Sequence, residues 1–153
     1  MPAAALALES LTPRAVRLDG SVTLHQVRAG SGPTLVFIHG AMGDWRSWAP
    51  QWLAFAPHFD CISYSRRYSH PNDNPVVSPH HSALDEADDL CRLLDALSVD
   101  RATLVGSSYG GFTALALAVR APARVRAIVA VEPPMMKYAC VTPEGERIAR
   151  AFR

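Results

Sequence analysis

A chain of 153 residues with 49% hydrophobic and 19% charged side chains holds enough apolar material for one packed domain and is not composed like a disordered segment. Its net charge of +1, with both signs interspersed, argues against nucleic acid or an anionic membrane surface as partner and favours a small neutral or mixed substrate. Three cysteines, Cys61, Cys91 and Cys140, form no C-x-x-C spacing, so neither a disulfide framework nor a zinc site is expected. No dinucleotide or P-loop glycine motif occurs, and no cofactor is expected. The apolar start, Pro2 to Leu8, lacks a basic n-region and is cut short by Glu9, and no other stretch is long enough to span a bilayer, so a reducing cytoplasm is the expected location.

Residues 1–13 read as a tail. From Arg14 to Ala29 the pattern is a hairpin turning at Asp19-Gly20, an antiparallel edge. Thr34 to Ile38 is apolar throughout, too short for a helix and too continuous for a half-exposed strand, which predicts a buried parallel strand. Asp44 is a suitable N-cap for a helix to Ala54, in which Trp45, Trp48, Trp52 and Phe55 share a face; core packing is favoured there over an aromatic substrate lining. Phe59 to Tyr64 predicts the next strand. The polar connection 65–81 is long enough to be functional or mobile, and a parallel sheet would place it at the carboxyl edge as a pocket wall. Within it, Arg66 and Arg67 read as surface charges, and the His80-His81 pair reads as solvated loop.

Ser82 to Leu97 is a helix opened by a Ser82/Asp85 capping box, with Leu84, Leu90, Leu93, Leu94 and Leu97 as the apolar stripe. Asp85, Glu86, Asp88 and Asp89 load its first turns, as the macrodipole favours, and read as a solvated face. A strand from Ala102 to Val105 then runs into Gly106-Ser107-Ser108-Tyr109-Gly110 and a helix over Phe112–Val119. Ala121-Pro122-Ala123 stops that helix, Val125 to Val131 predicts another buried strand, and Glu132-Pro133-Pro134 ends it. Thr142-Pro143-Glu144 reads as a helix start with Ile148, Ala149 and Phe152 on one face. Strands and helices alternate from residue 34 onward, which requires a mostly parallel sheet with flanking helices.

Gly106 and Gly110 bracket Ser108 as G-x-S-x-G between a strand and a helix: small neighbours let the two elements approach, and a strained turn exposes the serine hydroxyl. Here the sequence resembles the α/β-hydrolase family, with a core over 14–134 and, over 135–153, the beginning of the helical cap that many members carry. A second match is His39-Gly40-Ala41-Met42-Gly43 after the first buried strand, where the family places an oxyanion hole. The resemblance implies Ser108 as nucleophile, the backbone N–H groups of Tyr109 and Ala41 (Met42 as the alternative) as oxyanion donors, and His39 as a structural residue. Ser65-Arg66-Arg67-Tyr68 departs from the family's Asp-x-x-Gly turn. A serine at the elbow argues against the dehalogenase and epoxide-hydrolase branches, whose nucleophile is usually Asp.

In this fold the triad runs Ser, then Asp or Glu, then His. From Tyr109 to Arg153 there is no histidine and no aspartate, and among Glu132, Glu144 and Glu146 only Glu132, at the exit of the strand next to the elbow, suits the triad acid. The expectation is therefore an α/β-hydrolase fold truncated before its last strands, carrying the front of an enzyme that works by acyl transfer on a small ester or related carbonyl compound. The alternative is a non-catalytic remnant or binding chain. In either case Val125–Val131 is expected at an exposed sheet edge, a site of self-association.

Overall fold

In the computed structural model, which describes residues 7–18, 20–134 and 143, six strands form one sheet in the order β1-β2-β4-β3-β5-β6. β1 (Arg14–Arg17) and β2 (Thr23–Ala29) make the expected antiparallel hairpin, although Asp19 of its turn lies outside the described residues. β3 (Thr34–Ile38), β4 (Asp60–Tyr64), β5 (Ala102–Ser107) and β6 (Val125–Val131) are parallel to one another, and β2 joins them antiparallel along β4. The helices between the parallel strands are α1 (Ala49–Phe55), α2 (Ala83–Ala96) and α3 (Tyr109–Arg120). The helix start expected at 142–144 lies outside the described residues except for Pro143.

The central strands are mostly apolar because both sheet faces are covered. Val36, Ile38, Ile62, Tyr64 and Leu104 point to one side, where Leu90, Leu93 and Leu94 of α2 and Ala114 and Leu117 of α3 complete a core. Leu35, Phe37 and Cys61 point to the other, against Trp45, Trp48 and Trp52. Leu8, in a short 3-10 turn over Leu8–Ser10, is fully buried in that second core, so part of the expected tail is packed. Burial pushes the Cys61 thiol up to about 12, which makes it an inert apolar filler.

The tryptophan segment is not one helix. Asp44 caps a 3-10 turn over Trp45–Trp48 by accepting from the Arg46 N–H at 2.8 Å, and α1 follows. The Arg46 guanidinium bonded to Asp44 holds that carboxyl below its usual range. Phe37 sits 5.2 Å from the Trp48 ring and 6.1 Å from Trp52, so core packing holds for these tryptophans, while Phe55 is partly exposed.

Two expectations about burial are corrected. Leu84 is 49% exposed and outside the α2 stripe, because α2 turns a mixed face inward. Strand β6 is not buried: Val129 and Val131 are 51% and 44% exposed, since β6 is the last strand of the described sheet and pairs only with β5.

Candidate active site

The parallel strands end side by side, and the loops at their carboxyl ends form the cleft. β5 delivers Ser108 into a turn with φ 51° and ψ −120°, left-handed for a residue with a side chain, immediately before α3 begins at Tyr109. Glycines make this turn possible. A Cβ on Gly106 would lie 2.3 Å from the Gly110 carbonyl oxygen, and one on Gly110 would lie 2.2 Å from the Ile38 oxygen, so strand and helix meet at distances no side chain admits. Ser108 makes no side-chain cap to α3, and its N–H donates to the Val131 oxygen at 2.8 Å, tying the elbow to the end of β6.

The turn after β3 lies against the elbow: a Cβ on Gly40 would be 3.3 Å from Ser108 Cβ and 3.9 Å from its Oγ. His39 through Gly43, with Ser47, Trp48, Gln51, Ser107, Ser108 and Val131, line a cleft of about 690 Å³. Ala41 and Met42 are thus brought together with Ser108, and Met42 is wholly exposed at the rim. Trp48 both packs in the core and faces the cleft, two roles that helical spacing alone treated as alternatives. Tyr109 stands at the first position of α3, where backbone N–H groups have no intrahelical acceptor. Glu132 follows β6 with φ 48° and is exposed.

His39 is 1% exposed and structural in its bonding. Its Nε2 accepts from the Arg66 backbone N–H at 3.0 Å, which leaves Nδ1 as the protonated nitrogen, donating to the Gly40 oxygen at 2.7 Å. Burial pushes its pKa down to about 4, helped by the Arg66 charge and opposed by the Gly40 bond. With both ring nitrogens engaged, His39 has none free to take a proton from Ser108.

The loop after β4 departs most from expectation. Its first half is pinned: the Asn72 amide donates to the Ser65 and Arg66 oxygens at 2.9 Å and its Oδ1 accepts from the His25 N–H, while Asn74 makes the same kind of bridge between Thr23 and Arg67. Arg66 and Arg67 are not surface charges. Arg66 is 6% exposed and donates to Glu86 at 3.2 Å, and Arg67 forks onto Asp89 at 2.5 and 2.6 Å. Glu86 and Asp89, read as part of a solvated face, are 3% and 0% exposed on the inner side of α2. His81 is not simply solvated either: its Nε2 lies 3.0 Å from the same Glu86 oxygen, and its ring stands edge-on to Tyr68 at 4.9 Å. Arg66, Tyr68, His81 and Glu86, with Ala41, Ser69 and Tyr109, line a second cavity of about 230 Å³ beside the turn after β3. Nothing in the sequence announced them, because a charged residue on a polar loop or at a helix start reads the same whether it meets water or a buried counter-ion.

Residues 33–150 match the model of the alpha/beta hydrolase fold, and the chain belongs to that family. It is 34% identical over 110 residues to a putative carbamate hydrolase, RutD, of a Caulobacter species, covering 70% of this chain and 41% of that protein. Epoxide hydrolase 1 of Caenorhabditis elegans is 30% identical over 129 residues, 83% of this chain and 32% of its own length. Among solved structures, an N-acyl homoserine lactone degrading enzyme superposes with a TM-score of 0.72 at 30% identity over 85% of this chain and 52% of its own. The chain therefore spans less than half the length of these two curated relatives, which are hydrolases. Among the described residues no group of three or more His, Cys, Asp or Glu side chains could hold a metal ion, and no helix is long and apolar enough to cross a membrane.

Proposed function

We propose that this chain carries the nucleophile and oxyanion hole of a serine hydrolase that cleaves a small ester or related carbonyl compound by acyl transfer. The observation that carries the reading is the left-handed Ser108 between glycines that permit no Cβ, with the Gly40-Ala41 turn against it. Ser108 Oγ attacks the carbonyl carbon and gives its proton to a base. The oxyanion accepts from the N–H groups of Ala41 and Tyr109, with Met42 as the alternative to Ala41, and collapse expels the leaving group as an alcohol once it takes up the proton. Water then cleaves the acyl-serine. Met42, Trp48 and Val131 give the cleft an apolar wall suited to a small acyl group. A serine at this position supports acyl transfer rather than the chemistry of the epoxide hydrolases to which the chain is similar.

Glu132 is the candidate for the acid that orients the base. His39 is committed to the backbone and is not the base for Ser108. The second reading, favoured by that commitment of the histidine beside the elbow, is a chain that binds ligand without turnover. Fluorophosphonate labelling of the folded chain separates the two: modification at Ser108, absent from Ser108→Ala, supports the nucleophile. Silence from a chain whose circular dichroism is native favours the non-catalytic reading.

A further inference from the structure

The Gly40 carbonyl and the Ala41 N–H belong to one peptide unit. Its oxygen accepts three times, from His39 Nδ1 at 2.7 Å, from Arg66 Nη2 at 3.2 Å and from the Gly43 backbone N–H at 3.3 Å, and the guanidinium is the one donor of the three with a full charge. We infer that Arg66 is a positioning residue for the oxyanion hole, acting through the Gly40–Ala41 peptide and the Tyr109 ring. The inference rests on Ala41 and Tyr109 as oxyanion donors.

Four contacts of Arg66 converge on this role. Its backbone N–H fixes the His39 ring, and that ring donates to Gly40. Its guanidinium donates to the Gly40 oxygen, so the peptide plane is held from the side opposite the Ala41 N–H. The guanidinium carbon stands 4.8 Å from the centre of the Tyr109 ring, a cation–π contact on the residue that carries the other donor. Glu86, on α2, anchors the guanidinium at 3.2 Å, and both side chains are more than nine-tenths buried. A charged donor on a carbonyl pulls electron density through the amide and makes the N–H at its far end a better donor, an effect strengthened by a low local dielectric. Arg66 thus touches no reacting atom, yet joins the two strands' loops that must present their N–H groups to one oxygen.

The test has two arms. In isotope-labelled chain, Arg66→Met is expected to move the Gly40 carbonyl carbon and the Ala41 amide nitrogen upfield, with Arg66→Lys, which keeps a cation, restoring part of the shift; a surface or purely packing role predicts no such recovery. In fluorophosphonate labelling, Arg66→Met is expected to slow modification of Ser108 about tenfold to a hundredfold, less than deletion of a donor. Unmoved Gly40 and Ala41 signals overturn the inference, and so does an unchanged labelling rate in a chain that Ser108→Ala silences. If Ser108→Ala labels as well as the parent, the nucleophile reading falls by itself; if the parent does not label, the resonance arm alone decides. Should Arg66→Met fail to fold, Arg66→Lys and Glu86→Gln are compared with the parent in the same two arms, and native signals and rates in both overturn the inference.

Discussion

Steric exclusion at single residues shapes the elbow. Gly110 lies so close to the backbone of β3 that any side chain must displace main chain rather than a flexible tip. Gly110→Ala is therefore expected to destabilise the chain by about 3 kcal/mol, the upper part of the range for overpacking, as read by urea unfolding. At Ala41 the proposed role is that of a donor rather than a matter of space: Ala41→Pro removes the N–H and is expected to slow labelling of Ser108 about a hundredfold with a native circular dichroism spectrum. A neutral result there would move the donor to Met42. The tyrosine after the serine, Tyr109, has its phenol held above the ordinary range by burial and by the Glu86 charge.

Among the elements, α2 does more than cover the sheet. Its Ser82/Asp85 capping box fixes the first turn, and bonding to Ser82 holds the Asp85 carboxyl below its usual range. Glu86, next to Asp85, and Asp89 are three residues apart on one face and receive the two arginines of the loop after β4. Such pairs add little net stability but are damaging to break. Asp89→Ala is expected to destabilise by about 1 to 3 kcal/mol because the half-buried Arg67 loses its counter-ion, and Arg67→Met in the same chain is expected to recover part of the loss in thermal unfolding. Strand β6 presents a different hazard. Its exposed valines, at a strand with one pairing partner among the described residues, are expected to support self-association, and Val129→Lys is expected to lower the association seen in sedimentation at high concentration.

Over the whole molecule, acid stability follows from one buried ring. The folded state depresses the His39 pKa from 6.5 to about 4, so the unfolded chain takes up this proton first. The contribution is complete above about pH 6.5 and is lost as the pH falls to about 4, worth about 3 kcal/mol, because a proton on Nε2 would face the Arg66 N–H. Unfolding free energy measured from pH 7 to 4 is expected to fall accordingly, and the fall is expected to disappear in His39→Gln. Below that window Asp44 and Asp85, both with depressed values, lose their bonds in turn. The order of elements, the doubly buried strands, the α2 cap and the elbow were legible in the sequence, because apolar periodicity and the steric needs of Gly106, Ser108 and Gly110 are written over a few adjacent residues. The fate of the charges was not. Arg66 and Glu86 are 20 residues apart and Arg67 and Asp89 are 22 apart, and only the packing of α2 against the loop after β4 turns two local patterns, each indistinguishable from a solvated surface, into ion pairs shielded from solvent.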